Sequence, residues 1–247
     1  MDVKRSAVAA AVVCLGLCSA PARAQEEPAF TSEFQLENCD FTLKSQNPYF
    51  PLKPGFVRSY AGESDGELVE LVITVENRTR TVSLPIGGEL RKVKTRVVEE
   101  HEQADGELVE ISRNFFAVCR QTGDVFYFGE EVDIYEDGEI VSHDGAWLAG
   151  RDGARPGILM PGRFLLGARY FQEIAPNALD RAEHVEDGLG VDVIAGSFEG
   201  CARIAETTPL EPGAESEKLY CPGVGLAIDG PVELVEFGKR RGRSRRD

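Results

Sequence analysis

Three near-copies of one short phrase constrain this chain more than anything else in it: Asp65-Gly66-Glu67-Leu68-Val69, Asp105-Gly106-Glu107-Leu108-Val109 and Asp137-Gly138-Glu139-Ile140-Val141. Asp-Gly tolerates the positive φ angles of a two-residue type I′ turn, and each copy runs into residues that alternate apolar and charged. The phrase predicts a hairpin tip feeding a strand. Residues 67–76 carry Leu68, Val69, Leu71, Val72, Ile73 and Val75, and residues 89–101 alternate Leu90, Val93, Thr95 and Val97 with Arg and Lys. Strands with one wet face are the antiparallel habit. Further short strands are expected over 114–119, 125–128, 132–135, 139–142, 169–174, 191–194, 198–207, 215–221, 226–228 and 232–237.

No long helical periodicity competes with this pattern, so the predicted class is mainly β. Many consecutive hairpins must hide their edges, which predicts an antiparallel meander curved into a barrel or half-barrel, with a two-sheet β-sandwich as the alternative. At most one short helix is expected, over Asn177 to Glu186, where Ala178, Leu179, Ala182 and Val185 stand near helical spacing. The prolines of Asn47-Pro48-Tyr49-Phe50-Pro51-Leu52-Lys53-Pro54 predict an extended segment lying across the body with its aromatics inward. Glycine-rich residues 143–167 read as a long loop, which is commonly functional or mobile.

Residues 1–24 have the order of a cleaved signal peptide: Lys4 and Arg5, an apolar run to about Cys18, then Ala22-Arg23-Ala24. This run is too short for a permanent span, and no other stretch reaches transmembrane length. The remaining expectation is a lead-in over 25–45, one β domain over 46–238, and a disordered basic tail over 239–247. Export to the periplasm or outside the cell lets thiols pair. Cys39, Cys119, Cys201 and Cys221 remain after cleavage and allow three connectivities. The turn Thr208 to Ala214 is centred between Cys201 and Cys221, so an unbulged hairpin would set them face to face and leave Cys39 with Cys119. Four separate buried thiols are the alternative. Zinc is disfavoured, since no Cys-x-x-Cys spacing occurs.

The formal net charge of −15 at pH 7 repels nucleic acid. The tail is the exception, and its arginines suit an anionic envelope surface or the acidic body of the protein itself.

Four blocks together resemble a group of exported bacterial proteins of unassigned function. They are Asn47-Pro48-Tyr49-Phe50-Pro51-Leu52, Tyr127-Phe128-Gly129-Glu130, Asp152-Gly153-Ala154 with Pro156-Gly157-Ile158 and Met160-Pro161, and Pro209-Leu210-Glu211-Pro212-Gly213 with Pro222-Gly223-Val224-Gly225. The resemblance spans roughly 46 to 229. It implies an exported single domain and brings no catalytic residues, cofactor or metal.

The expected role is binding rather than catalysis: an apolar small molecule or lipid held on the curved sheet, in a pocket lined by Phe126, Tyr127, Phe128, Trp147 and Met160. Two alternatives remain. One is a hydrolase using acidic residues near Asp144 and Asp152; the other is a structural or envelope-interaction protein. His101 and His184 sit among glutamates and read as solvated.

Overall fold

A computed structural model describes residues 29–44 and 46–239. The expected leader, and the basic tail beyond Lys239, lie outside the described residues.

All three Asp-Gly phrases are left-handed at both positions, with φ of 54° and 89° at Asp65-Gly66, 50° and 84° at Asp105-Gly106, and 53° and 77° at Asp137-Gly138. They join β2 (Phe56–Ser64) to β3 (Glu67–Ile86), β4 (Glu89–Ala104) to β5 (Glu107–Cys119), and β6 (Val125–Glu136) to β7 (Glu139–Ser142). β1 (Phe41–Thr42) pairs with β5, and β8 (Trp147–Leu148) with β6. The rest of the chain supplies β9 (Arg155–Met160), β10 (Arg169–Phe171), β11 (Glu173–Ile174), β12 (Arg181–Val193), β13 (Gly196–Thr207), β14 (Glu215–Cys221), β15 (Gly225–Asp229) and β16 (Val232–Lys239). The named strands form one mainly antiparallel sheet rather than a sandwich, in the order β10-β12-β13-β14-β15-β16-β2-β3-β4-β5-β6-β9-β11.

The hydrogen-bonded path does not close. Its two ends are nonetheless consecutive in the chain, since only Gln172 separates β10 from β11. The sheet therefore bends until its ends meet. Irregular pairing supplies part of the bend, because an unmatched residue tightens a strand's twist. β3 passes from Val75 opposite Val98 to Thr79 opposite Arg96, leaving extra residues on its side. The buried Arg96 guanidinium donates to the carbonyls of Glu76 and Asn77, both at 3.2 Å. At the seam, Gly157 of β9 lies against the backbone of Phe171 and Gln172; a Cβ there would stand 2.3 Å from the Phe171 carbonyl oxygen. Thr31 covers the β10 edge, donating to Arg169 O and accepting from Phe171 N, both at 2.9 Å.

The lead-in forms an outer strap. Phe34 and Phe41 meet the Phe126 ring edge-on at 5.9 and 5.7 Å, and Phe41 meets Phe128 at 5.1 Å. A Cys39–Cys119 disulfide pins this strap to β5, and Cys201–Cys221 bridges β13 and β14. Both are the pairings expected from the hairpin argument, and they belong to a protein that folds in an oxidising compartment. No helix among the described residues is long and apolar enough to cross a membrane.

Two expectations need correction. The helix over Asn177 to Glu186 is absent: Arg181 onward is strand, with Ala182 and His184 buried while Arg181 and Glu183 stay half-buried. Period-two burial overrides the helical spacing of a few alanines and a leucine. Nor are residues 143–167 a structureless loop, because Trp147–Leu148 and Arg155–Met160 both pair with β6.

Gly157→Ala should lower stability by about 3 kcal/mol, since the seam backbone must move to admit the methyl. Gly190→Ala, whose Cβ would meet only the Glu199 carboxylate at 3.3 Å, should cost under about 1 kcal/mol. Urea unfolding of both variants checks the contrast.

Candidate functional site

Curvature puts alternate residues of each strand inside. β2 turns Arg58 and Tyr60 inward; β4 contributes Val98 and Glu100; β5 contributes Glu110, Ser112, Asn114 and Phe116; β14 contributes Lys218 and Tyr220. Around them lie Tyr127 and Glu130 of β6, Trp147, Gln172, Glu173, Asp180, Glu206 and Asp229. They surround a cavity of about 240 Å³ whose walls are predominantly polar. The Asn47 to Leu52 segment closes one side, with Phe50 in the wall and its ring 5.0 Å from that of Phe116.

The charges are unequal. Among the described residues seven carboxyl side chains border the cavity, against the two cations Arg58 and Lys218. Lys218 Nζ lies 3.0 Å from Glu206 and 3.5 Å from Asp229. Burial disfavours its charge, but these carboxylates hold its pKa well above the usual lysine range. Glu206 also accepts from Gln172 Nε2 at 2.8 Å, tying this ion pair to the sheet seam.

The other carboxyls lack such compensation. Burial, reinforced by Asp229 and Glu110 against the pull of Lys218 and Arg58, raises Glu100 to about 7. Glu130 is raised to about 8, by burial first and then by Glu100 and Glu110. Glu173, 2% exposed, is pushed well above the carboxylate range by burial and by Asp180, though its Oε1 accepts the Asp180 N–H at 2.7 Å. Glu102 and Glu110 stand directly opposite each other across β4 and β5, and both are raised by burial. Like charges facing across a ladder are destabilising, so the fold retains an acidic interior at a cost. Trp147 Nε1 and Arg58 Nε, two donors in the wall, are buried without an acceptor among the described residues.

Glu130 and Trp147 also border an outer pocket of about 570 Å³ with Arg80, Arg151, Asp152 and Asn177. Together they form the partition between this pocket and the cavity. The turn before β12 supplies Ala178 and Asp180 to the inner wall and is tethered to the outer one by Asn177 Nδ2, which donates to Ala146 O at 2.9 Å.

The structure distributes the sequence-predicted pocket residues over both faces of the sheet. Tyr127 and Trp147 meet edge-on at 5.1 Å and line the cavity. Phe126 and Phe128 point the other way, into the strap, and Met160 is fully buried opposite Val125. Asp144 and Asp152 are exposed turn residues; Asp152 borders the outer pocket, while Asp144 borders neither that pocket nor the cavity. Among the described residues no group of three or more His, Cys, Asp and Glu is arranged to hold a metal ion.

His184 is a further correction. It is 1% exposed, with Nε2 2.9 Å from the Tyr170 hydroxyl, and burial lowers its pKa to about 4. Glu183 alternates onto the opposite face of β12, and a register shift after His184 sets Glu186 opposite Arg203 on that same outer face. Sequence reasoning also missed Glu100, Glu110, Glu173, Lys218 and Arg58, because a charged residue in an alternating strand ordinarily marks the wet side.

No protein-family model matches the chain, and no curated protein matches it. Among solved structures, a protein from Parabacteroides distasonis described as a "putative lipoprotein" aligns over 78% of this chain and 99% of its own, at 13% identity and a TM-score of 0.37.

Raised carboxyl pKa values mean that the folded protein binds more protons than the unfolded chain. Stability of the empty protein is therefore lost as pH rises toward the folded values of about 7 for Glu100 and about 8 for Glu130. Below pH ~6.5 the depressed His184 acts in the opposite sense, its contribution growing as pH rises from its folded value of about 4. Between pH ~6.5 and ~8.5 the carboxyls dominate, and unfolding free energy should fall by about 2 kcal/mol. Glu130→Gln should remove roughly two thirds of that slope in urea titrations; an unchanged slope would locate its origin elsewhere.

Proposed function

We propose that this is an exported, non-catalytic binding protein that encloses a small ligand carrying a positive charge. The observation that carries the reading is the excess, among the described residues, of seven carboxyls over two cations around a cavity of about 240 Å³ on the inner face of the sheet. An ammonium group entering this space reduces the charge imbalance, and the aromatic faces of Tyr127 and Trp147 favour a cation further. The unpartnered donors Trp147 Nε1 and Arg58 Nε favour a ligand with an acceptor beside its charge. Ligand pockets typically span roughly 300 to 1,000 Å³, so the volume favours a compact molecule. The sequence alone suggested apolar or lipid-like cargo, but such cargo would lie against unpaired carboxyls without satisfying them. Export is supported by both disulfides and by the signal-like residues 1–24.

Binding of a cation favours ionised carboxyls, so affinity should rise as pH passes through the raised values of Glu100 and Glu130. Ethanolamine, an ammonium with a hydroxyl acceptor, should raise the melting temperature at millimolar concentration, and more at pH ~8.5 than at pH ~6. Glu100→Gln with Glu130→Gln should abolish the pH dependence. Stabilisation by decanoate, with none by ethanolamine, would return the reading to an apolar ligand.

A further inference from the structure

The two cations of the cavity are held very differently. Among the described residues Lys218 has two carboxylates within ion-pair distance, whereas Arg58 has none and its Nε has no acceptor. Arg58 is nonetheless only 2% exposed. Burying a guanidinium without a counter-ion is costly, and the Phe56 ring, centred 5.8 Å from its Cζ, offsets only part of that cost. The fold builds this placement in all the same. Gly225 is left-handed at φ 88°, and a Cβ there would stand 2.6 Å from Arg58 Nη1 and 3.2 Å from Pro51 Cδ. Glycine at the start of β15 is what leaves room for the guanidinium in the cavity wall.

Register says what Arg58 looks toward. Arg58 of β2 stands opposite Ile73 of β3, and Ile73 stands opposite Glu100 of β4. All three border the cavity. Arg58 and Glu100 therefore share one inward row, two inter-strand spacings or about 10 Å of sheet apart, with a buried aliphatic side chain between them. Beyond Glu100 the row continues through Ser112 to Val132. The neighbouring inward rows bring Glu110 on β5, opposite Glu102, and Glu130 on β6, opposite Asn114. Carboxyls thus gather on the Glu100 side of Ile73, while an unmatched guanidinium stands on the other.

An ammonium alone would meet the first of these and leave the second as it is. Resting on the reading of the cavity as a cation site, we propose that its ligand is a compact zwitterion: its ammonium lies among Glu100, Glu110 and Glu130, its carboxylate accepts from Arg58, and its short aliphatic linker crosses Ile73. A guanidinium donates two parallel hydrogen bonds to a carboxylate, which a hydroxyl cannot receive in that form. The anionic end of the ligand supplies the counter-ion that the chain withholds from Arg58.

Three compounds with the same four-carbon frame separate the two charges: γ-aminobutyrate, 4-aminobutanol and butyrate. Affinities are read from the concentration dependence of the melting temperature of the whole mature chain at pH ~8.5, where Glu100 and Glu130 are ionised for the most part. γ-Aminobutyrate should bind about tenfold more tightly than 4-aminobutanol, and butyrate should give no stabilisation. In Arg58→Met the preference should vanish while 4-aminobutanol still stabilises. The comparison within the unaltered chain needs no variant. Equal affinity of that chain for γ-aminobutyrate and 4-aminobutanol would overturn the zwitterion and leave the cation reading standing, and stabilisation by butyrate as strong as by γ-aminobutyrate would overturn it too. A preference that persists in Arg58→Met would remove Arg58 from the proposal and overturn it. Stabilisation by neither amine would remove the cation reading along with the zwitterion.

Discussion

The sheet bends until its first and last strands are neighbours in the chain, and every other property of the molecule follows from that bend. Gln172 is the hinge pin of the arrangement. One residue carries the backbone from β10 to β11, while its side chain reaches Glu206 at the edge of the cavity. A flat sheet of these strands would leave both faces wet and its two edges open to further pairing. Bending converts one face into an interior and brings together the short edge strands β10 and β11, beside which Thr31 and Gly157 pack.

Enclosure decides the electrostatics. A glutamate on an open sheet loses little by being charged, whereas the same side chain inside a narrow cavity must find a partner or keep its proton. Lys218 finds partners in Glu206 and Asp229 and remains charged. Glu100, Glu130 and Glu173 outnumber the remaining cation, and they are pushed toward the neutral form. On the proposed reading a cationic ligand entering this cavity would displace protons, so that binding and proton release become one event.

The hairpins and the sulfur pairing were legible because they depend on local rules. Asp-Gly fixes a turn whatever surrounds it, and two cysteines equidistant from a turn face each other when the register holds, as Ala202 opposite Tyr220 shows it does. The cavity was not legible, because alternation says which residues share a face but not which face a bent sheet encloses. In β4 the run Val97-Val98-Glu99-Glu100 places valine and glutamate on both sides. Only the three-dimensional path shows that Glu100 faces inward while Glu99 faces the outer groove. The aromatic run Phe126-Tyr127-Phe128 misleads for the same reason, since its members divide between the strap and the interior.

Titration of the glutamate side-chain carboxyl carbons by 13C NMR tests the central claim directly, because each resonance reports its own protonation. The account predicts that Glu100 and Glu130 titrate far above the usual carboxylate range, with midpoints of about 7 and about 8. Midpoints for both near pH ~4.5, the range of solvated glutamate, would contradict an enclosed acidic interior.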